Sequence, residues 1–170
     1  YSLQESLAAQ NRSEEFDGYL AKYKVNNPES TALESIEFEA AKTLYFNEKY
    51  DQAIVKLEAY LTAYPKSPYV FDARYFLADS YMRQNQNQRG LQRMKEVIAE
   101  NKSSYVNRAI QKVADQEFAA KNYTEAIKYY SLKIGKFLQA QGCKAIVIAC
   151  NTASSLGFAD LKEFLGDKLP

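Results

Sequence analysis

The stretch AAKTLYFNEKYDQAIVKLEAYL, residues 40–61, decides the fold, because the chain repeats its pattern twice more. The second copy, LADSYMRQNQNQRGLQRMKEVI, begins at Leu77, and the third, VADQEFAAKNYTEAIKYYSLKI, begins at Val113. Each copy has two small residues 12 positions apart, and successive copies are offset by 37 and 36 positions. A period of this length is typical of proteins built from stacked repeats. The small residues are Ala41 and Ala53, Ala78 and Gly90, and Ala114 and Ala126.

Each copy predicts two helices that pack against each other. In the first copy Ala53, Leu57, Tyr60 and Leu61 follow the spacing i, i+4, i+7, i+8 of an amphipathic helix. Small side chains allow two helices to cross closely, so the small residues are predicted to be buried. Core packing is also predicted for five tyrosines at repeat positions: Tyr50, Tyr60, Tyr64, Tyr123 and Tyr130. The predicted helices span 32–47, 51–64, 69–84, 88–100, 105–120 and 123–140.

Composition excludes several classes of function. The chain has 170 residues, 46% hydrophobic and 25% charged, which is ordinary for a globular domain. A net charge of +1 gives no electrostatic signature of nucleic-acid binding, and no apolar run reaches the roughly 20 residues of a membrane helix. With no histidine, a histidine base or metal ligand is excluded. We therefore expect no nucleic-acid partner, no transmembrane segment, no cofactor and no metal site.

The repeated pattern resembles the tetratricopeptide repeat (TPR) over about residues 12–135. That family places small residues at its helix crossings and an aromatic before the second helix. The resemblance implies a mainly α fold, a right-handed α-α solenoid, as the domain 1–135. EEFDGYLAKYKVNNPES, from Glu14, parallels VKLEAYLTAYPKSP, from Val55, which implies that the chain begins within an array. The likeness to bacterial envelope TPR proteins implies a periplasmic or outer-membrane-associated location, with the cytoplasm as the alternative.

The resemblance also implies a function, a protein–protein interaction scaffold. TPR helices line a concave groove, and a groove of rings and both charge signs suits an extended peptide or a partner helix. The alternative is a solvated face with scattered aromatic residues. The candidate partner-binding residues are Lys42, Tyr45, Tyr75, Asp79, Met82, Arg108, Gln111, Asp115 and Phe118.

The pattern changes after about Tyr130. FLQAQGCKAIVIACNTASSLGFADLKEF, from Phe137, contains a β-branched run that ends in Cys150. This order predicts a C-terminal helix–strand–helix fragment of α/β origin, with a strand at 144–149. No other strand is predicted for it to join, which leaves three outcomes: it pairs with its copy in a second molecule, it is converted to helix by the repeats, or it crosses as irregular chain. Of these we expect it to pair across a homodimer. A helix at about 154–166 is expected to pack on the 105–140 pair.

This segment resembles a fragment of glutamate racemase over about residues 130–170, centred on Ala-Cys-Asn-Thr-Ala at 149–153. The resemblance implies Cys150 as a catalytic acid/base, with Asn151 and Thr152 as substrate contacts. The family's second cysteine, in a motif with histidine, is absent. We therefore predict that the chain is not an enzyme and that 136–170 is not an independent domain. Two alternatives to the scaffold are an inactive racemase relic and an engineered or accidental fusion with no function of its own.

Overall fold

A computed structural model of the chain describes residue 7, residues 12–27, residue 30 and residues 32–166. Regular secondary structure in this part of the chain is helical throughout, which confirms the mainly α fold. The eight helices described there are α1 Ser13–Asn26, α2 Ala32–Phe46, α3 Tyr50–Ala63, α4 Val70–Arg83, α5 Asn87–Glu100, α6 Val106–Ala119, α7 Tyr123–Ala140 and α8 Asn151–Leu165.

Every helix predicted from the repeat is present, and its ends lie within one residue of the prediction. The helix ends were predictable because short polar turns separate the amphipathic runs of the sequence. The predicted C-terminal helix begins earlier than expected, at Asn151 rather than at about 154. The predicted small residues are also buried. They are Ala41, Ala53, Ala78, Gly90, Ala114 and Ala126.

The described residues between Tyr1 and Asn87 form one compact unit. In it, α2, α3 and α4 pack on one another. Phe38 lies at the centre, with its ring 5.8 Å from that of Tyr60 and 6.2 Å from that of Phe76. Glu37 joins three segments of this unit, because it pairs with Lys24 at 2.6 Å and accepts a 2.7 Å hydrogen bond from the Tyr64 hydroxyl.

The turn within each repeat has the same backbone. Glu48, Asn85 and Lys121 have φ values of 60°, 58° and 63°, which places each in the left-handed region. Each left-handed residue donates its N–H to a carbonyl three residues back. These residues are 37 and 36 positions apart, the same offsets as between the sequence repeats. The backbone conformation therefore repeats with the same period as the sequence.

The connection between repeats also recurs. The Tyr60 hydroxyl lies 2.6 Å from the Ser67 hydroxyl, and Tyr23 and Ser30 form the same pair at 3.1 Å. Both pairs span seven residues. The two pairs lie 37 positions apart, one period of the repeat, whereas the predicted parallel between the segments from Glu14 and from Val55 aligns Tyr23 with Tyr64.

The residues Gln88–Pro170, as far as they are described, form a second compact unit. In it, α7 packs against α6 on one side and α8 on the other. Gly135 on α7 lies so near Leu161 that a Cβ added there would be 2.3 Å from its Cδ1. A Cβ added to Gly157 on α8 would likewise lie 3.2 Å from the Ser131 Oγ. The predicted C-terminal helix is thus present and packs on α7, the second helix of the predicted pair.

The strand predicted at 144–149 is wrong, because these residues are irregular chain. Side-chain burial still alternates along the segment, as it would in a strand: Ile146 and Ile148 are half-buried, while Val147 is 89% exposed. Ile146 and Ile148 face Phe158 and Leu161 of α8 across a cavity of about 170 Å³. A strand needs a neighbouring strand to satisfy its backbone, and the described part of the chain provides none. Pairing across a homodimer stays a prediction.

One of the five tyrosines predicted in the core is exposed. Tyr60 is buried and Tyr50, Tyr64 and Tyr130 are half-buried, but Tyr123 is 53% exposed. Tyr123 is the first residue of α7, and its ring lies 5.6 Å from that of Phe118, which is itself exposed.

Candidate functional site

In the first unit, a buried carboxylate anchors the predicted binding face. Asp79 on α4 is 1% exposed, and its Oδ2 accepts a 2.5 Å hydrogen bond from the Tyr45 hydroxyl of α2. Arg83, one helical turn after Asp79, brings its Nε to 3.6 Å from the same oxygen. Burial and the bond to Asp79 raise the pKa of the Tyr45 phenol, so Tyr45 is a fixed donor.

Aromatic rings surround this group. The Tyr45 ring lies 5.3 Å from Phe46, 5.7 Å from Tyr50 and 4.9 Å from Phe76. The Arg83 guanidinium lies over the Tyr50 ring at 6.0 Å. Phe46 remains 59% exposed at the end of α2, and the Arg83 side chain is 52% exposed. The exposed Phe46 ring and the Arg83 cation are thus linked through the rings of Tyr45 and Tyr50.

The other predicted residues of this unit have different roles. Lys42 pairs with Glu39 at 2.5 Å and lies 5.4 Å from the centre of the Phe38 ring. Tyr75 is 2% exposed and belongs to the core, while Met82 is half-buried. Tyr75 and Asp79 therefore support the face from beneath rather than form its surface.

In the second unit, the predicted residues include a polar network. Asp115 accepts hydrogen bonds from Gln111 at 2.5 Å and from the Tyr130 hydroxyl at 2.8 Å. Lys133 donates to the Gln111 side-chain oxygen. The bond to Asp115 raises the pKa of Tyr130. This network lies at the surface, where partner backbone groups could exchange with its hydrogen bonds.

Two further predicted residues of the second unit are exposed. Arg108 lies 5.5 Å from the centre of the Tyr105 ring. Phe118 is 57% exposed, and its ring meets that of Tyr123 edge-on. Exposed aromatic pairs of this kind supply apolar contact area to a partner.

Sequence reasoning missed three residues that the structure makes prominent. Arg83 and Phe46 complete the face around Tyr45, and the i+4 spacing of Arg83 from Asp79 was the available signal. Glu117 is a buried carboxylate that pairs with Lys95 at 2.6 Å and accepts from Asn122 at 2.8 Å. Burial acts to raise its pKa, but these two bonds outweigh that effect and lower it. No local sequence signal indicates Glu117.

Cys150 occupies the N-cap position of α8 and is exposed. The backbone N–H groups of Ala153 and Thr152 lower the pKa of the Cys150 thiol, and the Thr152 hydroxyl adds to the effect. Asn151 and Thr152 are exposed beside it. The second cysteine, Cys143, is half-buried. Cys150 and Thr152 are thus close to each other at the start of α8.

The described residues contain no group of three or more Cys, Asp and Glu side chains that could hold a metal ion. Among the helices of residues 12–27 and 32–166, none combines the length and apolarity needed to cross a membrane.

Comparison with known proteins finds a short likeness. Over 37 residues, 22% of its length, the chain is 54% identical to a glutamate racemase of Corynebacterium diphtheriae. The chain spans only 14% of that racemase. No protein-family model matches the chain, and no solved structure matches it. The chain is therefore a mainly α protein with repeated helices and a short segment similar to glutamate racemase.

Proposed function

We propose that the repeated helix pairs are of tetratricopeptide type and act as a protein–protein interaction scaffold for a peptide or a partner helix. One observation carries this proposal: Phe46 and Arg83 are both exposed on the first unit and are linked through the rings of Tyr45 and Tyr50, while buried Asp79 binds both Tyr45 and Arg83. Aromatic rings and arginines are the residues that most often dominate binding energy in protein interfaces.

The contacts suggest how such a partner binds. Asp79 and Tyr50 hold the Arg83 guanidinium, which limits the conformational entropy lost on binding. Only the Nε of the Arg83 guanidinium faces Asp79, at 3.6 Å. The other N–H groups of the guanidinium therefore remain for a partner carboxylate. Phe46 would cover an apolar side chain next to that carboxylate. The favoured partner carries an acidic residue beside an apolar one.

A peptide array tests this proposal. We expect 12-residue peptides that contain an acidic–apolar pair to bind, and their amide counterparts (Gln or Asn for Glu or Asp) to bind less. Phe46→Ala should weaken that binding about tenfold, as for a residue that dominates an interface. Val55→Ala is the matched control, because Val55 is 66% exposed in the same unit but outside the predicted face. Equal binding by the two variants would contradict the proposed site.

The second candidate is a racemase relic, which the 37-residue match favours. In the family, two thiols act on opposite faces of the amino acid. Here Cys150 has the lowered pKa suited to one of those roles, but the family's second cysteine motif is absent. The relic is therefore proposed to be inactive. The third candidate is a fusion without a function, and it predicts no selective binding in the array.

A further inference from the structure

One side of α7 is open to solvent, although the equivalent positions of the earlier repeats are buried. Tyr60 and Val97 are each 1% exposed, whereas Lys133, which corresponds to them at offsets of 37 and 36 positions, is exposed. Ile98 is 4% exposed, whereas Ile134, its equivalent on α7, is 58% exposed. The last repeat therefore leaves uncovered positions that its predecessors bury.

Helix α8 does not cover this side, because it packs on a neighbouring one. In the first unit, α4 packs on both α2 and α3, the two helices of the preceding repeat. In the second unit, α8 meets α7 at Ser131 and Gly135. These residues directly follow Tyr130 and Ile134 of the open side, and one position in an α-helix is about 100° of rotation. Helix α8 therefore lies about a quarter of a turn away from the open side.

The open surface continues from α7 onto α6. Its two ends are apolar and exposed, with Phe118 and Tyr123 at one end and Ile134 and Phe137 at the other. The polar network around Asp115 lies between these ends and joins the two helices. Tyr123 and Phe137 are separated by about 21 Å along α7, at a rise of about 1.5 Å per residue. This α6–α7 surface thus has the length of one helix such as α4, which has 14 residues.

Positive charge is in excess on the α6–α7 surface. Asp115 is its carboxylate, and it is already bound within the polar network. Arg108 contacts a ring and Lys133 an amide, and neither pairs with a carboxylate of the described residues. Lys112, beside them on α6, is a further cation. The other charged side chains of α6 and α7 are engaged with α5, α8, the turn after α5 or one another: Glu117, Glu125, Lys128 and Lys136.

We propose that the α6–α7 surface binds an acidic amphipathic helix of a partner protein, about four turns long. Apolar side chains of that helix contact Phe118 at one end and Ile134 and Phe137 at the other. Its carboxylates lie beside Lys133 and Arg108, which have no acidic partner among the described residues. A helix that lays its apolar side along such a surface is a common mode of recognition. The inference rests on the proposed scaffold function, which it extends to the second unit with a partner of stated chemistry.

Fluorescence anisotropy with labelled peptides and the full chain tests the proposal. The probe is an end-capped peptide of about 16 residues, with leucines at i, i+4, i+7 and i+11 and glutamates beside them. We expect saturable binding with a dissociation constant of about 100 μM or below. The same peptide with glutamine for glutamate should bind about three- to tenfold more weakly, and with lysine more weakly still. Equal binding of the lysine peptide, or of a glutamate peptide interrupted by proline, would overturn the proposal.

Variants locate the site. Phe137→Ala should weaken binding of the glutamate peptide about tenfold, as for an aromatic residue that dominates an interface. Tyr19→Ala is the matched control, because Tyr19 is an aromatic residue of the first unit that is 53% exposed. Lys133→Gln should reduce the difference between the glutamate and glutamine peptides, because it removes one exposed cation. Equal effects of Phe137→Ala and Tyr19→Ala would show nonspecific binding and overturn the assignment.

Two further outcomes separate this inference from its alternatives. If the glutamate helix does not bind while the acidic–apolar peptides of the array do, the inference is overturned and the proposed function stands. Self-association of the full chain that Phe137→Ala abolishes would assign the α6–α7 surface to a second copy, and would also overturn the inference. Light scattering at the concentrations of the binding assay measures that self-association.

Discussion

Ala41 and Ala53 show how single residues set the helix packing. Both are 0% exposed, on helices that pack against each other. Alanine is needed at such a crossing because a larger side chain would separate the two backbones. The same positions of later repeats are filled by Ala78 and Ala114, also 0% exposed. The small residues that define the repeat period in the sequence are therefore buried at the same position of each repeat in the structure.

Ala41→Leu should destabilise the first unit by about 1–3 kcal/mol, because the added side chain has no space at the crossing. Urea unfolding measures the effect. Ala59→Leu is the control, since Ala59 is exposed on α3 and its replacement should change stability by about 0.5 kcal/mol or less. If Ala41→Leu unfolds at the same urea concentration as the unmodified chain, the repeat register is wrong.

Cys150 tests the racemase-like motif at the level of one residue. We expect no interconversion of D- and L-glutamate by the full chain, so that Cys150→Ser has no rate to change. The reason is that racemisation by two bases needs a second thiol. Cys143 lies just before residues 144–149 and does not belong to the family's second motif. A polarimetric assay at high protein concentration measures the rate. Cys150-dependent turnover of either enantiomer would contradict the prediction.

At the scale of elements, α7 and α8 form a close helix pair that depends on glycine. Gly135 leaves room for Leu161, and Gly157 leaves room for Ser131. The two helices thus contribute one glycine each to the contact. This fit explains how a segment similar to an unrelated enzyme can cover the last repeat: its helix has a small-residue face that matches that of α7.

Gly135→Val should weaken this pair. The new side chain would collide with Leu161 and Leu165, and we expect a loss of about 1–3 kcal/mol, measured by urea unfolding. Gly18→Val is the matched control on α1, where an added Cβ meets nothing within 4 Å. Because valine is a better helix former than glycine, the control should be unchanged or slightly more stable. Equal destabilisation by both would assign the effect to valine itself.

At the scale of the whole molecule, the chain consists of two compact units, divided after Asn87. The second contains the last repeat and the racemase-like segment together. Helix α8 packs on α7, the last helix of the repeats, and its Leu161 and Leu165 are buried in this unit. The segment thus has a structural role whether or not it has another.

Truncation after Gln141 should destabilise the second unit by several kcal/mol, because it uncovers α7 around Leu132 and Gly135. Thermal unfolding measures the loss. An unchanged melting temperature would show that α8 is not a cap.

Light scattering on the same two proteins tests the predicted homodimer. A full-length chain that stays monomeric at all concentrations rules out a stable dimer through residues 144–149, in which Val147 is 89% exposed.

The sequence by itself determined the helices and their period, because amphipathic spacing, small residues and polar turns all act over short distances. The tetratricopeptide resemblance named both Tyr45 and Asp79 among the partner-binding residues, and the structure joins them by a hydrogen bond. Only the tertiary structure decided that 144–149 is irregular chain. Its β-branched residues favour a strand locally, but a strand forms only with a partner, and the alternating Ile146 and Ile148 face α8 instead. The roles of Arg83 and Glu117 were decided in the same way, by packing between helices distant in sequence.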